Sequence, residues 1–234
     1  MANNKSGDKG LRAIVIGMIA FVLIVTGVFI YFDKKPVANS ATPASISKAD
    51  GSGLVFNPEL KNQIDIWEDF QCPACRDFEA VNSANIRDVI EKKKAKVVFH
   101  PLTFIGERST LGFNESIIAA NAAACAMDEG KFVDMHEILF QNQAAEENSG
   151  KFTKEYMISL GNKIGITTMK FQDCVTQGNY ALWTESSASY AAVKNVNSTP
   201  TVSVNGKELS REGAENEYNS PVKFKAALAA GGIK

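Results

Sequence analysis

Cysteine and histidine are scarce in this sequence, which has four cysteines and two histidines among 234 residues. Four cysteines are too few to hold together a fold that lacks a core, so each one is expected to have a specific purpose. Hydrophobic residues make up 45% of the chain, which is enough for one domain of ordinary size with its own core.

A surplus of positive charge is also missing, since the formal net charge is -1. Residues 1–35 carry +3, from five lysines and arginines against two aspartates, which leaves -4 for residues 36–234. A mildly acidic domain argues against nucleic acid as its partner.

Residues 13–32 lack both charge and proline. As a helix, this run would extend about 30 Å, the thickness of a bilayer core. We therefore predict a transmembrane helix. The alternative is a cleaved secretory signal, because small residues at 38–41 have the spacing of a cleavage site. The apolar region of such a signal is, however, usually only about 7 to 15 residues long.

The segments on either side of the apolar run predict its orientation. Three lysines and arginines precede the run and two follow it, so the positive-inside rule places residues 1–12 in the cytoplasm. Residues 33–53 are rich in serine, alanine, proline and glycine and lack aromatic residues, which is typical of a flexible linker. Residues 54–234 then form a domain on the extracytoplasmic side of the cell membrane, where disulfides persist.

The pattern of apolar residues in this domain predicts an α/β fold. Residues 63–70 and 95–102 resemble buried strands, and residues 73–94 between them have the helical period. This order predicts a parallel pair of strands with a crossover helix. A helical insertion is predicted at about residues 110–178. The remaining predicted elements are a helix at 180–196, a hairpin at 199–209 that turns at Asn205-Gly206, and a last helix that begins at Ser220 and Pro221.

Two cysteines lie between the first strand and its helix, in the stretch "DFQCPACRDF". Cys72 is at or just before the helix tip, where free N–H groups and the helix dipole favour an anion. Cys75 points along the apolar face with Phe78. Because the thiolate is the attacking species, we predict that Cys72 has the lower pKa and reacts first, and that Cys75 resolves the mixed disulfide.

Two other interpretations of the pair stay open. A zinc site needs two further ligands, and the sequence has no second paired motif to supply them. The remaining candidate ligands are Cys125, Cys174, His100 and His136. A purely structural disulfide between Cys72 and Cys75 is possible, but its loop is too short to restrict the unfolded chain much.

A resemblance to a known family emerges from the motifs "WEDFQCPACRDFE" at the strand-to-helix junction and "STPTVSVNG" before the hairpin, together with the helical insertion. Over about residues 54–232 the sequence resembles the thioredoxin superfamily, and more closely its DsbA-like branch. The predicted membrane helix and linker lie outside this range, and they suit the membrane-anchored members of that branch. The resemblance implies a thioredoxin fold with Cys72 as nucleophile and Cys75 as resolving thiol. It also implies that Pro200 is a cis-proline beside the pair, and that Thr199 offers its backbone to a substrate or to the Cys72 sulfur.

The sequence departs from the family pattern in one acidic residue. Many thioredoxin-like proteins carry a buried acid six residues before the first cysteine, and this position is Ile66 here. Glu68 shares the strand face of Ile66, so we predict that it moves protons to and from Cys75. The alternative is that Glu68 and Asp69 are ordinary strand-end carboxylates. The pair Pro73-Ala74 lacks the histidine found in strongly oxidising relatives, which leaves the redox potential open.

The other cysteines and the histidines are interpreted structurally. Cys125 and Cys174 both fall in the helical insertion, and in an oxidising compartment we expect them to form a disulfide. His100 ends a strand and His136 lies among apolar residues of a helix, so both are predicted to be structural histidines.

The resulting hypothesis is a membrane-tethered thiol-disulfide oxidoreductase without a cofactor. The predicted substrates are exported proteins with cysteines, which it oxidises through the Cys72-Cys75 pair, and a membrane redox partner reoxidises it. A disulfide reductase or isomerase is the nearest alternative, because the motif does not encode the direction. A metal carrier or a non-catalytic binding module is the alternative from a different class.

Overall fold

The computed structural model describes residues 41–43, 46 and 53–234. The predicted membrane helix at 13–32 and most of the predicted linker at 33–53 lie outside these residues. Within the described part of the chain, no helix is long and apolar enough to cross a bilayer.

From residue 63 onward, strands and helices follow the order predicted from the sequence. In chain order they are β1 (Leu54–Phe56), β2 (Gln63–Glu68), α1 (Pro73–Glu91), β3 (Lys96–Pro101), α2 (Glu115–Met127), α3 (Phe132–Gln141), α4 (Lys154–Lys163), α5 (Met169–Gln177), α6 (Ala181–Val193), β4 (Thr201–Val204), β5 (Lys207–Glu208) and α7 (Pro221–Ala230). A single 3-10 turn at Gly106–Arg108 lies between β3 and α2.

The strands form one mixed sheet in the order β1-β3-β2-β4-β5. β2 and β3 are parallel, with Ile66 opposite Phe99 and Trp67 opposite His100, so the predicted crossover through α1 is confirmed. The other neighbouring strands are antiparallel. The sequence analysis missed β1, because three residues are too few to show an alternating pattern.

Alternation along β2 separates two environments in the core. Ile64 and Ile66 are fully buried in the main core, and Glu68 follows them on the same strand face. Trp67 points to the other face, where it packs in a small second cluster with Leu102 at the end of β3 and Ala191 of α6. Glu68 therefore faces α3, whose His136 is hydrogen-bonded to it.

The helical insertion is held together by a disulfide. Cys125 of α2 and Cys174 of α5 are bonded, with their Cα atoms 5.9 Å apart, which confirms the predicted bridge. Both cysteines are buried in the main core. The bridge thus links two helices of the insertion that are separated by 49 positions in the sequence.

The last part of the chain confirms the predicted hairpin and helix. Asn205 and Gly206 both have positive φ values, 52° and 80°, as a type I′ turn requires. Pro221 begins α7 as predicted. Ser220 occupies the N-cap position, and its side chain makes no capping hydrogen bond.

Candidate active site

Cys72 lies where β2 gives way to α1. Its backbone is extended, with φ -72° and ψ 119°, and Pro73 supplies the first helical residue. A proline at this position has no N–H group to leave unpaired. Cys72 is only 8% exposed, so the tip of the helix is largely covered by neighbouring residues. Both Cys72 and Cys75 carry free thiols.

The surroundings of Cys72 stabilise its anion. A hydrogen bond from the Cys75 thiol is the largest cause that lowers the pKa of Cys72, from 9.0 to about 6. Burial acts in the opposite direction, while hydrogen bonds from Thr199 and from the backbone of Cys75 and Ala74 lower the pKa further. Hydrogen bonds to the charged form of a group favour that form. Cys72 is therefore mainly a thiolate at neutral pH.

Cys75 has the opposite character. Its side chain is fully buried, and burial is the largest cause that raises its pKa well above the ordinary value of 9.0. The hydrogen bond to Cys72 and the negative charges of Cys72 and Glu68 raise it further. The two thiols are thus an anion and its proton donor, which is the division of roles that the sequence predicts.

The loop before β4 lies against the pair. The Thr199-Pro200 peptide bond is cis, as the resemblance implies, and Cys72 Sγ lies 3.5 Å from the Thr199 carbonyl oxygen. The Pro200 carbonyl accepts a hydrogen bond from Arg211, whose guanidinium lies 4.0 Å from the centre of the Tyr218 ring. These contacts hold the loop against the segment between β5 and α7.

Glu68 is buried behind the cysteines. It is 1% exposed, and Ile66 on the same strand face is a fully buried core residue. The carboxylate is hydrogen-bonded to His136 Nε2 through Oε1, and its charge acts on Cys75. Glu68 is thus the nearby acid that the sequence points to, at a different depth from the position that Ile66 occupies.

His136 and Glu79 belong to the same buried group, which the sequence analysis missed. His136 Nδ1 lies 3.9 Å from Glu79 Oε2, and the exposed fractions of the two residues are 2% and 4%. One signal in the sequence was available. Glu79 lies next to Phe78 and falls, with Cys75 and Asn82, on the buried face that the helical period assigns to α1.

Asp69 organises the loop that carries Cys72. Its carboxylate accepts hydrogen bonds from the backbone of Gln71 and Ile105 and from the Ser116 hydroxyl. Burial is the largest influence on this carboxyl and raises its pKa from 3.8 to about 7, although all three hydrogen bonds act in the opposite direction. Asp69 therefore joins the cysteine loop to the start of α2 and to the loop after β3.

Gln143 also holds the cysteine loop in place, and the sequence analysis did not identify it. Its side-chain amide donates to the carbonyl oxygens of Phe70 at 2.9 Å and of Cys72 at 3.0 Å. Gln143 follows α3 by two residues, so it ties the helical insertion directly to the backbone on both sides of Gln71.

His100 lies on the opposite face of the sheet from His136. Its Nε2 is 3.1 Å from Asp65 Oδ1, and its ring stacks on Trp67 with centroids 3.7 Å apart. These contacts agree with the structural role predicted from the sequence.

Comparison with known proteins agrees with this site. A family model described as thioredoxin matches residues 52–225, whereas no curated protein sequence matches the chain significantly. Oxidised DsbA of Mycobacterium tuberculosis is 29% identical, with a TM-score of 0.55, and the match covers 64% of this chain and 76% of that one. Reduced DsbG of the same organism is 25% identical, with a TM-score of 0.60 and coverages of 82% and 85%.

MdbA, a thiol-disulfide oxidoreductase from Actinomyces oris, is 17% identical and shares the fold, with a TM-score of 0.64 and coverages of 81% and 89%. The fold and the cysteine pair define a thiol-disulfide oxidoreductase. The chain belongs to the thioredoxin family, whose model spans most of its length.

Proposed function

We propose that this protein is a membrane-tethered, DsbA-type enzyme that oxidises dithiols of exported proteins. The observation that carries the proposal is the contrast between Cys72, whose pKa is lowered to about 6, and Cys75, whose pKa is raised. Stabilising the thiolate stabilises the reduced enzyme, and a stable reduced form makes the disulfide a better oxidant.

The size of this effect follows from the pKa of Cys72. At pH 7, lowering that pKa from 9.0 to about 6 stabilises the reduced form by about 1.4 kcal/mol, because an ordinary thiol would be almost wholly protonated there. For a two-electron couple this free energy raises the reduction potential by about 30 mV. The stabilised thiolate therefore makes the Cys72–Cys75 disulfide a better oxidant, but it does not by itself determine the reduction potential of the couple.

The catalytic step uses both cysteines. A substrate thiolate attacks Cys72 Sγ, the Cys72–Cys75 bond breaks, and Cys75 leaves with the electron pair and takes up a proton through Glu68. A second substrate thiolate then attacks the substrate sulfur of the mixed disulfide and releases Cys72 as a thiolate. Of the two substrate protons, one is balanced by the proton on Cys75 and the other goes to solvent. The Thr199 backbone lies beside the reacting sulfur, where it can align the substrate chain.

Measuring the reduction potential of the Cys72-Cys75 couple tests the direction of the reaction. We expect a value less negative than about -200 mV, because known oxidants of this class lie near about -120 mV and reductants near about -270 mV. Equilibration with glutathione buffers, read by mass spectrometry of alkylated thiols, gives the value. A potential near that of the reductants would contradict the oxidising role and favour the reductase alternative.

The proposed location rests on the sequence and on the second disulfide. A bridge such as Cys125–Cys174 persists in oxidising compartments and is rare in the cytosol. The apolar run at 13–32 anchors the protein, and a flexible linker of about 21 residues allows the domain to reach about 25 Å from the membrane. A membrane redox partner that reoxidises the pair completes the proposal.

Fusion of a reporter to the C-terminus tests this orientation. Alkaline phosphatase, which needs disulfides to be active, is expected to be active in the fusion and to sediment with the membrane fraction. A reporter that is active only in the cytoplasm serves as the matched control. Activity of that second fusion alone would overturn the extracytoplasmic placement.

A further inference from the structure

Three ionisable side chains form a buried cluster behind the cysteine pair. They come from three elements, Glu68 from β2, Glu79 from α1 and His136 from α3, and none is more than 4% exposed. We define these residues as the buried triad. A role for the triad in thiol-disulfide exchange rests on the proposed function, since the triad would serve the same reaction.

The geometry of the triad distinguishes the two nitrogens of the imidazole ring. Nε2 is hydrogen-bonded to Glu68 Oε1, and Nδ1 lies 3.9 Å from Glu79 Oε2. In the described part of the chain, Glu68 Oε2 and Glu79 Oε1 are buried without a hydrogen-bond partner. One carboxylate therefore lies at each nitrogen, and each carboxylate retains an oxygen that can accept a proton.

This arrangement favours proton transfer over metal binding. Ligand atoms of the triad lie within 4.8 Å of one another, so a cation is the alternative occupant. A metal ion, however, binds one nitrogen of a histidine and needs its other ligands around the same point. Instead, Glu68 lies at one nitrogen of the ring and Glu79 at the other. This arrangement suits an imidazole that shares its protons with two acceptors.

We infer that His136 is the proton store for Cys75, supplying and recovering the proton through Glu68 while Glu79 stabilises the charged ring. When Cys75 leaves Cys72 with the electron pair, the imidazolium of His136 gives its Nε2 proton to the Glu68 carboxylate, and Glu68 passes a proton on to Cys75 and becomes a carboxylate again. His136 is left as neutral imidazole and is later reprotonated from solvent. During reoxidation of the enzyme the proton of Cys75 returns along the same path.

The rings around His136 keep water away from it. Its neighbours within ring-contact distance are Phe70, Phe99, Phe132 and Phe140. In such a site a charge interacts strongly with its partners because little solvent screens it. A proton released by His136 therefore passes more readily to Glu68, which is hydrogen-bonded to it, than to bulk water.

The charges that face the triad are consistent with a proton held at neutral pH. Burial alone would lower the pKa of His136, but the charges of Glu68, Glu79 and Glu137 raise it to about 9. Burial raises the pKa of Glu79, against the effect of the His136 charge. Glu137 lies on α3 itself and is paired with Arg87 of α1 at 2.9 Å. Cys75 is a further titratable neighbour, whose charge interaction is with Glu68.

The test is single-turnover oxidation of a reduced dithiol peptide by the oxidised full-length protein, measured between pH 5 and 9.5 and corrected for the thiolate fraction of the peptide. For wild type we expect the corrected rate constant to fall as the pH passes about 9, where His136 loses its proton. His136→Gln keeps a polar contact to Glu68 but cannot store a proton. We expect it to lower the rate constant at pH 7 by about 10²-fold, at the low end of general acid catalysis, and to abolish the inflection.

His100→Gln is the matched control, because it also removes a buried histidine that is paired with a carboxylate. It is expected to keep the wild-type inflection even if it lowers the melting temperature. Glu79→Gln provides a second test if His136→Gln does not fold. It removes a charge that favours the imidazolium, so the inflection should move to lower pH.

Several outcomes would overturn the inference. A His136→Gln variant that keeps the wild-type pH profile would show that the histidine is only structural. One equivalent of zinc bound to wild type from zinc chloride, and lost in His136→Gln, would make the triad a metal site. If wild type itself left the peptide reduced, the proposed function would fail. If wild type oxidised the peptide and the variant matched it, only the role of His136 as a proton store would fail.

Discussion

Replacing Cys72 with serine is expected to abolish oxidation of a reduced substrate protein, whereas replacing Cys75 with serine is expected to trap substrate on Cys72. Cys72 carries the stabilised thiolate at the N-terminal end of α1, so it forms the mixed disulfide. A serine oxygen at position 72 cannot form that bond. In Cys75→Ser the mixed disulfide still forms, but the buried thiol that resolves it is missing.

The two results are measured on one model protein in two redox states. Oxidation is followed with the reduced model protein. For trapping, each variant is incubated with the disulfide-containing form, and adducts are separated without reductant and identified by mass spectrometry. A Cys125→Ser, Cys174→Ser double variant is the control, because it removes the other two cysteines and leaves the pair intact. An adduct trapped in Cys72→Ser but not in Cys75→Ser would reverse the roles assigned to the two cysteines.

The parts of the site that are adjacent in the sequence could be predicted from it. The apolar pattern of β2 and the period of α1 place Cys72 at a helix tip and Cys75 on the buried face, and both positions are confirmed. The position of Pro200 beside the pair came from the family resemblance, because the contact between Cys72 and the neighbouring Thr199 spans 127 positions. Periodicity alone contains no information about such a contact.

The buried triad shows why the rest could not be predicted. Glu68 and His136 are 68 positions apart, and their contact depends on how α3 packs against the sheet. A lone histidine on an apolar helix face is usually structural, so His136 was interpreted in that way. Glu79 was the available signal in the sequence. The helical period places it on a buried face, and burying a carboxylate is unfavourable unless a partner compensates.

Gln143 was missed for a related reason. Its donors reach two carbonyl oxygens of the cysteine loop, yet glutamine after a helix is an ordinary surface residue in sequence terms. Backbone carbonyl groups leave no mark in the sequence. A side chain that binds them becomes visible only when the loop geometry is known, so the support of the cysteine loop by the helical insertion is a structural finding.

The free energy of unfolding of the reduced enzyme, relative to that of the oxidised enzyme, is expected to rise with pH. In the reduced protein the pKa of Cys72 is about 6 when folded, against an ordinary value of 9.0 when unfolded. Below pH 6 the thiol is protonated in both states and contributes nothing. Between pH 6 and 9 the unfolded chain binds one more proton than the folded one, so stability rises with pH by about 1.4 kcal/mol per unit, to about 4 kcal/mol in all.

Comparing the two redox states isolates this contribution. Asp69, Glu79 and His136 also have shifted pKa values in this range, but they are present in both states and largely cancel in the difference. Cys75 stays protonated in both the folded and the unfolded chain until about pH 9. The disulfide of the oxidised form closes a short loop, whose effect on the unfolded chain does not depend on pH.

Urea unfolding of both redox states at several values from pH 5 to 9 measures the difference. Cys75→Ala in its reduced form is expected to show a smaller rise, because it removes the hydrogen bond that is the largest cause of the lowered pKa of Cys72. A difference that stays flat from pH 6 to 9 would mean that Cys72 is not a stabilised thiolate. Because the same free energy raises the reduction potential, a flat result would also remove the main argument for an oxidising enzyme.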